Sequence, residues 1–242
     1  MLVYSFSLTR LSIWSAQKGS GNMGLYSDAK MIAIRDPAAR NVLQVILLYS
    51  GFHILVFHRA AHFFFRHHHN FLARSVSQTG RFFTGIEIHP GARIGTGLFI
   101  DHGMGVVIGE TAVIGNNCTI YHCVTLGGTG KGKGRRHPTL GDNVLVGAGA
   151  KLLGPIDVGN NAMIGANAVV LNDVPPNATI VGVPGKVVRQ MGKPIIHSIE
   201  LDHDNAPDPT EQEICMLLHR VAALEKMMGN ITKKSNLEDK EE

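Results

Sequence analysis

The chain of 242 residues is poor in cysteine and aromatics, with three of the former and 6% of the latter. Cys118, Cys123 and Cys215 are odd in number and lack paired spacing, which argues against a disulfide framework and for a reducing compartment. A cytoplasmic location is expected. No run of roughly eighteen uninterrupted apolar residues occurs, so no membrane span is expected. The nearest, Val42 to Phe57, is broken by Gln44, Ser50, Gly51 and His53 and reads as two buried helices. Acidic residues are scarce in the body: residues 1–199 hold 18 Lys and Arg against 8 Asp and Glu, and residues 200–242 reverse this with 5 against 11. A basic body suits an anionic small molecule. Aromatics for base stacking are not interleaved with the charge, so nucleic acid is not expected as a partner.

What the chain has in abundance is glycine, 28 in all, and much of it follows a rule. An aliphatic residue returns every six positions at Ile88, Ile94 and Ile100, then, after a two-residue slip, at Ile108, Ile114, Ile120 and Leu126. After a longer insertion it resumes at Leu140, Val146, Leu152, Val158, Ile164 and Val170. Glycine usually follows. A period of six does not fit a helix of 3.6 residues per turn. It predicts a solenoid of short strands, each inward aliphatic side chain stacking on its copies above and below. Glycine beside it lets the backbone turn where a β-carbon would obstruct.

The chain divides into four parts. Residues 1–22 read as an extension, with Gly19–Asn22 as a linker before Met23; an alternative start or an organellar presequence would explain it. Residues 23–84 read as helical. Asp36-Pro37 carries a helix-start pattern, a carboxylate cap followed by proline, with Leu43, Ile46 and Leu47 behind it and Gly51 as the stop. A second helix is expected near Phe52–His68, and Asn70 is expected to cap a third that ends before Gly85. His58, His62, His67, His68 and His69 read as polar surface rather than metal ligands. Residues 85–192 are the solenoid. Residues 193–242 form an acidic tail in which Ile214, Leu217, Val221, Leu224, Met228 and Ile231 follow a heptad seam, predicting a helix that packs on the body or on itself.

Chemistry is expected where the solenoid breaks its rule. The first break falls in the segment from Ile100 to Thr111. The second is the insertion from Gly127 to Thr139, rich in glycine, Lys and Arg, which can wrap an anionic ligand. It imitates a phosphate-binding loop, but Gly134 stands where Ser or Thr is needed and no helix should follow. His102 and His137, one in each break, are the proton-carrier candidates, because imidazole titrates near working pH.

These segments resemble serine O-acetyltransferase. The resemblance lies in Gly85-Ile-Glu-Ile-His-Pro-Gly-Ala-Arg-Ile-Gly, Ile-Asp101-His102-Gly, Val-Val-Ile-Gly-Glu-Thr-Ala, Val124-Thr-Leu-Gly-Gly-Thr-Gly-Lys, Arg136-His137-Pro, Val146-Gly-Ala-Gly-Ala-Lys and Val181-Gly-Val-Pro-Gly. It covers about Tyr26 to Arg189, including Asp36-Pro37-Ala38, and the short helical part is similar to the compact form of the family.

The resemblance implies an α+β chain: a small N-terminal helical region, then a left-handed parallel β-helix of hexapeptide repeats, then a C-terminal helix. It implies homotrimers, or dimers of trimers, with active sites between neighbouring subunits. Acetyl-CoA is the implied co-substrate and L-serine the acceptor, with no metal, giving O-acetylserine for cysteine synthesis. His102 is the implied general base, with Glu87 orienting its imidazole. Asp36 and Asp101 are implied to pair with the serine ammonium, and Arg136 and His137 to hold its carboxylate. Gly128, Ala148 and Ala166 are implied to admit the pantetheine arm, and Lys186 and Arg189 to meet CoA phosphates. Attack is expected to be direct, without an acyl-enzyme. L-cysteine is the implied feedback inhibitor.

Two departures matter. Many relatives have aspartate at Glu87. Many end in an isoleucine that inserts into O-acetylserine sulfhydrylase, whereas this chain ends Lys240-Glu241-Glu242, so that complex is not expected. Two rival readings fit parts of the pattern. A hexapeptide acyltransferase acting on a sugar or homoserine would share the coil and the CoA groove; Asp36, Asp101 and Arg136 argue for a zwitterionic amino acid instead. A zinc enzyme similar to γ-class carbonic anhydrase needs three histidines, but Asp142 stands at the third position near His137 and His122 has no matching partner.

Overall fold

The structure, a computed structural model, describes residues 24–130 and 134–190, together with Val221 and Leu224. The extension and most of the acidic tail, with its heptad seam, therefore lie outside the described residues; Val221 and Leu224 are helical and exposed.

Four helices come first: α1 (Leu25–Arg35), α2 (Val42–Leu48), α3 (Ser50–Arg66) and α4 (Asn70–Thr84). Their starts differ from the sequence expectation. Asp36 starts no helix: it is the C-terminal cap of α1, and its Oδ1 accepts from Ala38 N at 2.8 Å in a local turn. The cap of α2 is Asn41, whose Oδ1 accepts from Gln44 N at 2.8 Å. An Asp-Pro pair serves a turn as readily as a helix start, since either way the carboxylate takes an amide two residues on. Gly51 does not stop a helix either. It lies in the first turn of α3, where a side chain would run into the Ile100 carbonyl of the solenoid. Asn70 is the first residue of α4 rather than its cap. Gly85 ends α4 in the left-handed region at φ 70°, as a C′ glycine should.

Among the described residues the solenoid follows as fifteen strands in three sheets. The first sheet holds β1 (Glu87–Ile88), β4 (Val107–Ile108), β7 (Thr125–Gly127), β10 (Lys151–Leu153) and β13 (Val169–Val170). The second holds β2 (Arg93–Ile94), β5 (Val113–Ile114), β8 (Thr139–Leu140) and β11 (Asp157–Val158). The third holds β3 (Phe99–Ile100), β6 (Thr119–Ile120), β9 (Leu145–Val146), β12 (Met163–Ile164), β14 (Ala178–Val181) and β15 (Lys186–Gln190). Strands from β1 to β12 pair in parallel three places apart, so the chain visits the three sheets in turn. Among the described strands only β15 runs antiparallel, against β14. Every predicted ladder residue falls in one of the first thirteen strands, and these residues from all three sheets share one apolar core.

The corner between the second and third sheets is built from asparagine. Asn117, Asn143, Asn161 and Asn177 take left-handed backbone angles of φ 56–59°, which asparagine tolerates better than other residues with a β-carbon. Their neighbours stack: Asn116 N donates to Asp142 Oδ1 at 2.6 Å and Asp142 N to Asn160 Oδ1 at 2.9 Å. Asn143 and Asn161 continue side chain to side chain, to Asn161 at 3.1 Å and Asn177 at 3.0 Å.

Buried polar contacts fasten the helices to the solenoid. Asp28 accepts from Gly97 N at 3.0 Å and from the Arg59 guanidinium, and Ser77 Oγ donates to the Ile88 carbonyl at 2.8 Å. Paired and hydrogen-bonded, a buried carboxylate such as Asp28 escapes the large cost of isolated charge. Among the described residues no single helix is long and apolar enough to cross a membrane.

Candidate active site

The two breaks in the ladder build two separate groups. The first lies where the third sheet hands over to the first. Beyond β3, Asp101 is followed by His102 with φ 56°, a left-handed turn that leaves the imidazole 78% exposed. His102 Nε2 stands 3.7 Å from Asp101 Oδ1, and its ring meets His122 of the next coil edge to face, 6.1 Å between centroids. Glu87 opens β1 at the same corner, its backbone N–H bonded to Val106 O at 2.9 Å. Its carboxylate is held by Arg81 at 3.0 Å, with Arg74 at 3.9 Å. The carboxylate recorded beside His102 is therefore Asp101, while Glu87 faces two arginines of α4.

Asp36 joins this group from the helical region. Tyr49, in the break between α2 and α3, donates its phenol proton to Asp36 Oδ2 at 2.6 Å. Burial pushes the Tyr49 hydroxyl up to about 12, with the Asp36 hydrogen bond and the Asp36 and Asp101 charges adding to the effect. Tyr121, below the same corner, is pushed up to about 12 by burial and by both carboxylates. Burial raises Asp101 too, against the pull of His102 and with the push of Asp36. Two aspartates thus share one spot with two neutral phenols, an acidic site suited to a cation.

The second group lies where the first sheet hands over to the second, and Thr111 organises it. Thr111 Oγ1 accepts from Arg136 N at 2.9 Å and His137 N at 3.2 Å, and Thr111 N donates to His137 Nδ1 at 3.2 Å. That amide fixes the tautomer, because an acceptor Nδ1 leaves the proton on Nε2. Burial and the adjacent Arg136 lower the His137 pKa, so the ring stays neutral and Nε2 remains a donor. A side chain on Gly109 would overlap that ring, and one on Gly128 would stand 2.8 Å from Nε2. Arg136 reaches Glu110 at 3.1 Å. Arg135 anchors the base of the insertion by donating to Ile156 O at 2.8 Å and Asp157 Oδ1 at 2.5 Å. A cavity of about 900 Å³ opens beside Glu110, lined by Arg66, Arg74, Arg93 and His89.

The remaining sequence-derived positions divide the same way. Ala148 and Ala166 stack above His102 and His122 at the first corner, through Gly149 N to His122 O at 2.9 Å and Asn167 N to Ala148 O at 2.8 Å. Gly128 belongs to the second corner. Lys186 and Arg189 lie exposed on β15 at the edge of the third sheet. Thr111, Tyr49 and Tyr121 carry no motif signal of their own; Thr111 sits inside the Gly-Glu-Thr run without a role that spacing reveals.

The other histidines do not assemble a metal site: among the described residues no three His, Cys, Asp or Glu side chains converge on one point. His58, expected at the surface, is instead buried and pushed down to about 3 by burial, His62 and Arg59. Cys118 is buried, its thiol pushed up to about 12, while Cys123 is exposed; Cys215 lies outside the described residues.

The chain is similar to known proteins in both sequence and fold. Residues 137–172 match the family described as bacterial transferase hexapeptide (six repeats), and residues 103–122 match the hexapeptide repeat of succinyl-transferase. A serine acetyltransferase of Synechococcus elongatus is 53% identical over 207 residues, 86% of this chain and 84% of its own length. A crystal structure of Neisseria gonorrhoeae serine acetyltransferase in complex with serine superposes with a TM-score of 0.66 at 46% identity, covering 68% of this chain and 67% of that one. A serine acetyltransferase in complex with cysteine gives 0.69 at 40% identity, over 77% of this chain and 73% of that one. With half its residues shared over most of two full lengths, and the two corner groups falling within the shared span, this chain belongs to the serine acetyltransferase family.

Proposed function

We propose that this chain transfers the acetyl group of acetyl-CoA to the hydroxyl of L-serine, releasing O-acetyl-L-serine and CoA, a step of cysteine biosynthesis in the cytoplasm. The observation that carries the reading is the chemical opposition of the two corner groups. A crowded pair of aspartates, Asp36 and Asp101, suits an ammonium, and Arg136 with the Nε2–H of His137 suits a carboxylate. A free α-amino acid presents both. A sugar presents neither, which disfavours the sugar acyltransferase reading. The serine-bound and cysteine-bound relatives support serine as acceptor and cysteine as a competing inhibitor at the same site.

The two groups stand at different corners of one chain, so a complete site needs the first corner of one subunit against the second corner of another. A left-handed, closed three-sided coil assembled as a trimer supplies that pairing, since a head-to-tail interface closed by threefold symmetry sets one corner of each subunit against a different corner of its neighbour. In such a site His102 takes the serine hydroxyl proton as oxygen attacks the acetyl carbonyl. The tetrahedral intermediate collapses with CoA sulfur leaving, and the proton passes back to the thiolate. Glu87 orients the imidazole once it releases Arg81. The small residues Ala148, Ala166 and Gly128 leave room for the pantetheine arm, and Lys186 and Arg189 offer charge to its phosphates. Attack is direct.

The test is CoA release from acetyl-CoA with L-serine, homoserine or a galactoside, for wild type and His102→Ala. Serine-dependent release, reduced about 10²–10⁴-fold in the variant, is the expected result. Release with the galactoside alone would discard the amino-acid site and keep the donor, and release with homoserine alone would keep that site and replace serine as the acceptor.

A further inference from the structure

We propose that Tyr49 is a positioning residue for the acceptor's ammonium group, its phenol aligning the Asp36 carboxylate from the helical region with Asp101 on the solenoid. The inference rests on the serine reading above, in which those two aspartates face the ammonium.

The backbone sets the phenol in place. Tyr49 is the single non-helical residue between α2 and α3, with φ −90° and ψ 112°, and the two helices diverge by 69° across it. It is pinned from both sides: its N–H donates to Val45 O at 3.2 Å, and Phe52 N and His53 N donate to its carbonyl at 3.1 and 3.0 Å. Gly51, two residues on, lets α3 approach the Ile100 carbonyl, immediately before Asp101. The bend that carries Tyr49 is thereby packed against the strand that carries the second aspartate.

The contact has the character of a strong hydrogen bond. A separation of 2.6 Å between a phenol and a carboxylate oxygen is a charge-assisted distance. Asp36 Oδ1 is taken by Ala38 N at 2.8 Å, so phenol and amide together fix the carboxylate plane. Asp36 sits on a short connection between α1 and α2, and without the phenol its side chain could turn to solvent. Two carboxylates in one half-buried spot repel each other, and a donor on one of them eases that repulsion until the substrate cation arrives. The phenol keeps the two charges close enough to share one ammonium, whose three donors suit two acceptors on opposite sides.

The experiment is steady-state kinetics of Tyr49→Phe beside Asp36→Ala and the double variant, on the intact oligomer. Tyr49→Phe keeps the ring and removes only the donor. We expect its KM for L-serine to rise about tenfold, the size expected for one hydrogen bond to a charged group. Its kcat and its KM for acetyl-CoA should stay near wild type. In the Asp36→Ala background the same substitution should change nothing further. An unchanged serine KM would overturn the proposal, and so would a full penalty that persists without Asp36. A wild-type enzyme that does not acetylate serine would instead sink the acceptor reading itself, a result visible before any variant is made.

Discussion

The imidazole of His137 fills the space that a side chain on Gly109 would require. The ring is held there by Thr111, whose amide and hydroxyl both meet Nδ1. Gly109→Ala should therefore displace the ring and lower kcat/KM for serine about 10²-fold, since misplacements of an ångström carry losses of that order. Acetyl-CoA binding should survive. Steady-state kinetics with each substrate varied in turn decides the matter: equal damage to both would mean general disruption of the coil.

Subunit mixing tests whether the two corner groups meet across an interface. Inactive His102→Ala and inactive Arg136→Ala chains, unfolded and refolded together in equal amounts, should recover roughly a quarter of wild-type activity, because a random trimer pairs the two intact corners at that frequency. Sites contained within one chain would recover nothing.

Serine affinity should fall on acidification earlier than an ordinary aspartate would dictate. Burial raises the Asp101 pKa, so its carboxylate takes a proton at a higher pH and loses its attraction for the ammonium. His137, its own pKa lowered by burial and Arg136, takes up a proton later on acidification than an ordinary imidazole does. The KM for serine, followed from about pH 8 to about pH 5, should climb while the KM for acetyl-CoA holds. Asp101→Asn should give a high and flat serine KM. A wild-type serine KM that stays flat to the acid end would remove Asp101 from the ammonium site.

Acid should destabilise the helical region through His58. Its pKa falls from 6.5 to about 3 in the folded chain, so between those values the unfolded chain binds the extra proton. The stabilisation is complete above pH 6.5 and drains away as pH falls toward 3, at about 1.4 kcal/mol per pH unit at most. Urea midpoints across that range, compared with His58→Leu, provide the check: the variant should show a shallower acid loss.

The solenoid was legible because its period is imposed by backbone geometry. A residue that must point inward on every strand repeats regardless of what the surface does, and all thirteen ladder positions proved to be strand residues. His102 and His137 were legible as departures from that period. The helical region was less so. Asp36-Pro37 reads as a helix start, yet the same carboxylate geometry makes a turn, and the true start at Asn41 has a quieter signature. Gly51 reads as a stop when its purpose is contact with a residue 49 positions later. The pairing of Glu87 with Arg81 depends on how α4 ends at Gly85, and Tyr49 meets Asp36 only because two helices part at a bend. Such partners are set by tertiary packing, which local sequence does not encode.

The insertion between Leu126 and Leu140 leaves the ladder undisturbed: β7 and β8 still pair in register with the coils on either side. Lengthening a loop costs only about 0.6 kcal/mol per doubling, so the coil scarcely senses how many residues pass through that corner. Its architecture thus separates inheritance of the scaffold from variation of the proposed acceptor pocket. Residues can be gained, lost or exchanged around Arg136 while each rung keeps its neighbours, and new acceptors can be explored without renegotiating the fold.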